Sequence, residues 1–67
     1  MNSARILAAW IKRGPSTCDE IERVTGLAHQ VVSARAADFR RRGQLRHTGK
    51  SRPTRYGRPA RVMEVVK

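Results

Sequence analysis

Cysteine, acidic and aromatic residues are all scarce in this chain of 67 residues. Its single cysteine cannot form a disulfide within the chain, which excludes the disulfide-stapled architecture of small secreted domains. No apolar stretch approaches the ~20 residues that a membrane-spanning helix needs. With one Trp, one Tyr and one Phe, few rings are available on which unpaired bases could stack. We therefore expect a small domain in a reducing, cytoplasmic compartment.

The shortage of acids leaves a large positive charge, and that charge is unevenly distributed. Five Asp and Glu stand against fifteen Lys and Arg, giving a formal net charge of +10. Residues 1–27 hold four basic and three acidic side chains, whereas residues 28–67 hold eleven and two. Such a charge opposes compaction, and an anionic partner relieves it. A chain this short has no room for a cleft between domains, and no nucleophile–base grouping stands out, so we expect a binding protein without enzymatic activity or cofactor.

Apolar periodicity and capping signals predict three helices. The first, at about 4–13, is capped by Ser3 and has four apolar side chains on one face: Ile6, Leu7, Trp10 and Ile11. The second, at about 17–25, begins with a capping box of Thr17 and Glu20 and has an apolar side formed by Ile21 and Val24. The third, at about 28–42, has a core stripe of Val32, Ala36 and Phe39.

The pattern changes after the third helix. Leu45 and His47 alternate with polar neighbours, residues 49–59 have loop composition, and residues 61–66 are rich in β-branched residues. These signals predict a hairpin over about 44–66 with an eleven-residue loop. The fold class is therefore expected to be α+β, with residues 1–67 forming one domain of three helices and a C-terminal two-stranded β-hairpin.

The junction of the second and third helices has helix-turn-helix spacing. Gly26 can adopt the left-handed conformation that the turn needs, and Leu27 and Val32 follow where apolar residues lock the helices together. Any small three-helix unit with a glycine turn shares this spacing. The third helix also presents His29, Gln30 and Ser33 away from its core stripe. Glutamine can pair with adenine and serine with a base or phosphate, although a solvated polar face is the alternative.

The predicted hairpin loop carries basic residues and no acid. Its bases are Lys50, Arg52, Arg55 and Arg58, with Thr54 among them. The planar guanidinium suits phosphate or a narrow minor groove, whereas a charge run can also be no more than a solvated surface. Tyr56 is expected either to stack on a sugar or base or to pack on the hairpin.

These segments resemble a known family. Residues 27–35 (LAHQVVSAR) and 39–45 (FRRRGQL) resemble the recognition helix and first wing strand of winged helix-turn-helix DNA-binding proteins. Residues 52–60 (RPTRYGRPA) are similar to the wing of small phage and prophage members of that class. One departure is Glu22, where many helix-turn-helix sequences have a small residue.

The resemblance implies a division of roles among the residues. The third helix would enter the major groove with His29, Gln30 and Ser33 near bases. The wing would hold the backbone or minor groove through Lys50, Arg52, Thr54, Arg55 and Arg58. Phosphate contacts would come from Ser16 and Thr17 at the start of the second helix, and from Arg35 unless it pairs with Asp38. Of the three arginines at the end of the third helix, Arg40 is expected nearest the DNA backbone, although positive charge there also suits the helix dipole.

We therefore expect sequence-specific binding of double-stranded DNA. The role would be that of a small phage or mobile-element regulator of transcription, or of an architectural or recombination directionality factor at the host nucleoid. Neutralising about six phosphates would give a slope of log K against log salt near −5. The main rival is a protein-interaction module that inhibits a host enzyme through its basic surface, and RNA binding is a third possibility. A homodimer on DNA, paired through Val65 and Val66 at a strand edge, also stays open.

The sequence gives little indication of metal binding or of a reactive thiol. Cys18, His29 and His47 are the only soft metal ligands, and their spacing lacks the short pairs of a structural zinc site, so we expect no metal. His47 is expected to be a strand residue partly covered by the first helix. Cys18 is expected to be a small residue of the second helix whose thiol could be partly activated there.

Overall fold

Three helices are followed by a β-hairpin in the computed structural model, which describes residues 2–66. The elements are α1 (Asn2–Arg13), α2 (Cys18–Thr25), α3 (His29–Arg41), β1 (Leu45–Pro53) and β2 (Pro59–Val65). The two strands are antiparallel and form a two-stranded sheet. The predicted α+β layout and element order are confirmed. Among the described residues, no helix has the length and apolar character needed to cross a membrane.

Local capping signals fix the ends of α2. The Thr17 hydroxyl accepts from the Glu20 backbone N–H, and the Glu20 carboxylate accepts from the Thr17 N–H at 2.9 Å, which confirms the capping box. Gly26 has φ = +71° and its N–H donates to the Glu22 carbonyl, as a left-handed C-terminal residue should. Ser3 lies within α1, so its predicted role as a cap is wrong.

The core lies where the three helices and the base of the hairpin meet. Its buried members are Ile6, Trp10, Ile21, Val32, Ala36, Phe39, Leu45 and Met63. The stripe predicted on α3 is confirmed. Ile11 and Val24, which were assigned to the apolar sides of the first and second helices, are 64% and 55% exposed. Both lie at the margin of an apolar helix face, and only side chains that point at a neighbouring element are buried.

The segment between α1 and α2 fastens the base of the hairpin to the helices. Ser16 and Met63 exchange two backbone hydrogen bonds of 2.9 Å, which adds an isolated bridge to β2. The indole N–H of Trp10 donates to the carbonyls of Met63 at 3.1 Å and Ser16 at 3.3 Å. This connection between distant segments had no signal in the sequence.

The hairpin has longer strands and a shorter loop than predicted. Pairing runs from Leu45–Val65 to Pro53–Pro59, with a shift in register between His47 and Ser51. Because the strands continue past this irregularity, the loop is residues 54–58, and we call this segment the hairpin loop. The Thr54 hydroxyl accepts from the backbone N–H groups of Tyr56 and Arg58, which closes the turn.

Candidate nucleic-acid interface

One side of α3 presents polar side chains to solvent. His29, Ser33 and Arg40 follow one another at intervals of four and seven residues, so they lie along one side of the helix. Gln30 is exposed beside them. Within residues 2–66, the side chains of Gln30 and Ser33 make no hydrogen bond. Both can therefore bind a group from outside the protein.

The two ends of this polar side contact other elements. At the N-terminal end, His29 donates from Nδ1 to the Glu22 carboxylate at 2.8 Å. At the C-terminal end, Arg40 donates to Nε2 of His47 on β1 at 2.9 Å. Desolvation and the guanidiniums of Arg40 and Arg61 lower the pKa of His47, so the ring is neutral at pH 7 and can accept this bond. His47 is thus exposed beside α3, and the expectation that α1 covers it is wrong.

The hairpin continues this surface with basic side chains. Lys50, Arg58 and Arg61 are exposed and, within the described part of the chain, take part in no ion pair. Lys50 and Arg61 line a depression of about 160 Å³ together with His47. Arg61 was missed by the sequence reasoning because it stands alone in β2. Its alignment with Ser51 across the sheet brings it beside Lys50.

Two other hairpin arginines bind the acidic side of α2. Arg55 donates from Nε to Asp19 at 2.7 Å and from a terminal nitrogen to Glu22 at 3.0 Å. Arg52 lies 3.1 Å from the Glu20 carboxylate and donates to the Pro15 carbonyl at 2.7 Å. All three acids of α2 therefore hold the hairpin. We call this set the α2 anchor: Asp19, Glu20, Glu22, Arg52 and Arg55.

Two carboxylates of the α2 anchor are nearly buried. Asp19 and Glu22 are both only 7% exposed. Burial alone would raise the pKa of Asp19, but hydrogen bonds from Arg55 outweigh it and hold the pKa below its ordinary value. The same bonds raise the pKa of Arg55. Glu22 is accommodated at a nearly buried position because Arg55 and His29 both bind its carboxylate.

Several residues expected to meet phosphate are engaged inside the protein. Ser16 and Thr17 are buried: the Ser16 hydroxyl donates to the Gly14 carbonyl, and that of Thr17 caps α2. Their expected phosphate contacts therefore need correction, because neither hydroxyl reaches the surface. Arg35 lies 3.4 Å from Asp38, the alternative that the sequence left open. Thr54 shapes the hairpin loop, while Arg52 and Arg55 serve the α2 anchor.

Ion pairing divides the positive charge into two regions. Every acid of the described chain lies within an ion pair with arginine: Asp19, Glu20, Glu22, Asp38 and Glu64. Seven basic residues among residues 2–66 stand outside these pairs: Arg5, Lys12, Arg40, Arg42, Lys50, Arg58 and Arg61. Five of them lie on α3 and the hairpin or between them, and two lie on α1. The five basic residues of the α3 and hairpin region, together with the polar side of α3, form what we call the candidate interface.

Cys18 and the histidines provide no evident reactive centre. Burial raises the pKa of the Cys18 thiol to about 11, so the thiol stays protonated near neutral pH and the expected partial activation is wrong. Within residues 2–66, no three His, Cys, Asp or Glu side chains are grouped so as to hold a metal ion.

Comparison of the chain with family models, with curated proteins and with solved structures finds no match. The geometry and charge of the candidate interface therefore carry the functional inference by themselves.

Proposed function

We propose that the chain is a winged helix-turn-helix protein, of the small phage or prophage type, that binds double-stranded DNA. The observation that carries this proposal is the continuity of α3 with the hairpin. Arg40 of α3 binds His47, and His47 shares its depression with Lys50 and Arg61. A helix with exposed polar groups thus runs beside a basic strand pair, and an α-helix such as α3, about 10–12 Å across with its side chains, fits a major groove about 12 Å wide.

In this proposal the residues of the candidate interface have different tasks. Gln30 and Ser33 face base edges, where an amide and a hydroxyl can discriminate between bases. Lys50, Arg58 and Arg61 bind phosphates and act as the wing. Arg52 and Arg55 position the wing and do not themselves contact the backbone. The protein would regulate transcription or DNA architecture by occupying and bending a site, without covalent chemistry.

Binding to duplex DNA is expected to weaken steeply with salt. Five basic residues of the α3 and hairpin region lie outside ion pairs, so about five phosphates can be neutralised and the slope of log K against log salt should be near −4.5. Lys50→Gln should make this slope less negative by about 1. Fluorescence anisotropy with a labelled duplex at several salt concentrations measures both values.

Arg46→Gln is the matched control for the salt measurement. Arg46 is also on β1, but its guanidinium lies 2.8 Å from Glu64 and it precedes His47, so it points to the other face of the strand pair. The slope of log K against log salt for Arg46→Gln should equal that of the parent protein. A parent slope near zero, or equal changes for Lys50→Gln and Arg46→Gln, would contradict the proposed surface.

Replacing both Gln30 and Ser33 by alanine is expected to reduce sequence selectivity while retaining the fold. Each well-made contact to a base contributes about 1–3 kcal/mol of discrimination, so the ratio of specific to non-specific affinity should fall by at least about tenfold. Both side chains are exposed and bind nothing within residues 2–66, so the thermal midpoint should hardly change.

The cognate duplex for this measurement would come from selection of bound sequences out of a random DNA pool. An unchanged affinity ratio in the double variant would show that α3 does not read bases. Failure of the pool to enrich any sequence would favour the rival function, a basic surface that occupies and inhibits a host enzyme.

A further inference from the structure

A second basic region lies on α1, beside a groove between α1 and α2. The groove has a volume of about 600 Å³. Its floor is formed by Ala8, Ala9 and Val24, and its rim by Arg5, Lys12 and Arg13. Val24, more than half exposed, supplies the largest apolar side chain there. An open apolar floor with a cationic rim suits a ligand that combines apolar groups with negative charge.

The groove is separate from the candidate interface. Val24 follows Asp19 by five residues and Glu22 by two. At about 3.6 residues per turn, both spacings place Val24 on the far side of the α2 axis from these two acids. The hairpin is held on the Asp19 and Glu22 side. No residue of α3 or of the hairpin lines the groove. A ligand could therefore occupy it while α3 and the hairpin are engaged elsewhere.

The rim retains its positive charge. Arg5 donates to the backbone carbonyl of Thr25, which orients the guanidinium without neutralising it. Arg13 is 3.9 Å from Glu20, a distant pair at the surface. Lys12 has no ion pair within the described residues. Arg5 and Lys12 are seven residues apart, or two helical turns, so their charges are spaced about 10 Å along α1.

A second copy of the chain is a poor occupant. All five of its acids are bound to arginine, so it offers no free side-chain carboxylate, and its net charge of +10 repels another copy. Duplex DNA has the charge but no apolar face to cover Val24. We propose that the α1–α2 groove binds an acidic segment of a partner protein, with carboxylates about two helical turns apart and apolar side chains between them.

A synthetic helical peptide with glutamates seven residues apart and leucines between them is the probe for this groove. Titrated into the ¹⁵N-labelled protein, it should shift the amide signals of Ala8, Ala9 and Val24. Lys12→Glu should weaken binding by at least about tenfold, because an attraction becomes a repulsion. Val24→Ser and a peptide with serines for leucines should each weaken it several-fold. In a mixture, the parent protein should bind the peptide and a labelled duplex together.

Lys50→Glu provides the matched control, with the same change of charge on the hairpin. It should reduce duplex binding and leave peptide affinity within about twofold. Lys12→Glu should instead reduce peptide binding and leave duplex affinity within about twofold. Shifts centred on α3 or the hairpin, equal binding of the serine peptide, or equal effects of the two variants would overturn the proposal by showing general attraction between opposite charges. Because duplex and peptide are measured separately, failure of either function is recognised independently of the other.

Discussion

Replacing Asp19 by asparagine together with Glu22 by glutamine is expected to weaken specific DNA binding by about tenfold, although it removes two negative charges. In the parent protein these carboxylates hold Arg55 at 2.7 and 3.0 Å and so fix the hairpin against α2. Neutral amides accept weaker hydrogen bonds from a guanidinium than carboxylates do. A loosened hairpin must be ordered again when DNA binds, and that ordering lowers the affinity.

Long-range electrostatics acts in the opposite direction. Removing the two acids leaves Arg55 unpaired, which adds a cation to the hairpin loop and should strengthen non-specific binding. The slope against salt should accordingly become more negative by about 1. We therefore expect specific affinity to fall while non-specific affinity is maintained or rises, so that the ratio between them decreases. If the two carboxylates acted only through their charge, their removal would instead strengthen both specific and non-specific binding.

Anisotropy titrations with a selected duplex and an unrelated duplex measure this ratio, and NMR relaxation reports hairpin mobility. Glu64→Gln is the control, since it removes an acid paired with Arg46 at the base of the hairpin and leaves the α2 anchor intact. A tighter specific complex in the double variant would show that the anchor holds the hairpin away from DNA. That outcome would contradict the role proposed for the anchor in positioning the hairpin as a wing.

The parts of the fold that were predicted correctly depend on neighbours in sequence. The capping box of Thr17, the left-handed turn at Gly26 and the core stripe of α3 each arise within one or two helical turns. Their signals are therefore present in short windows of sequence. Ile11 and Val24 show the limit of periodicity, because it identifies an apolar face but not which part of that face a neighbouring element covers.

The α2 anchor could not be read from the sequence because it joins residues 32 to 36 positions apart. The acids at the start of α2 also have a sufficient local explanation, since negative charge at a helix N-terminus suits the helix dipole. A carboxylate can serve the dipole and bind an arginine at the same time, so the local explanation hid the long-range one. The prediction of DNA contacts therefore did not foresee that Arg52 and Arg55 pair with acids of α2, and it did not include Arg61.

Trp10→Ala is expected to destabilise the folded protein severely. Trp10 is fully buried in the core, and truncation of such a residue costs about 3–5 kcal/mol. A domain of 67 residues has a total free energy of unfolding of about 3–10 kcal/mol. Circular dichroism should therefore show a variant that is largely unfolded or that unfolds at a much lower midpoint temperature. Ile11→Ala, one position along on the exposed side of α1, should change the midpoint little.

Trp10→Phe removes the hydrogen bonds at the base of the hairpin with a smaller loss of packing than Trp10→Ala. Phenylalanine keeps an aromatic ring in the core but lacks the indole N–H that donates to the carbonyls of Ser16 and Met63, so we expect a loss of about 1–2 kcal/mol from the hydrogen bonds. Under the proposed function only the folded state binds duplex, so DNA at 100 times its Kd should restore about 2.7 kcal/mol to this variant. A Trp10→Phe protein as stable as the parent would show that the indole bonds do not hold the hairpin base. If DNA gave no stabilisation at that concentration, the coupling between the fold and the candidate interface would be contradicted.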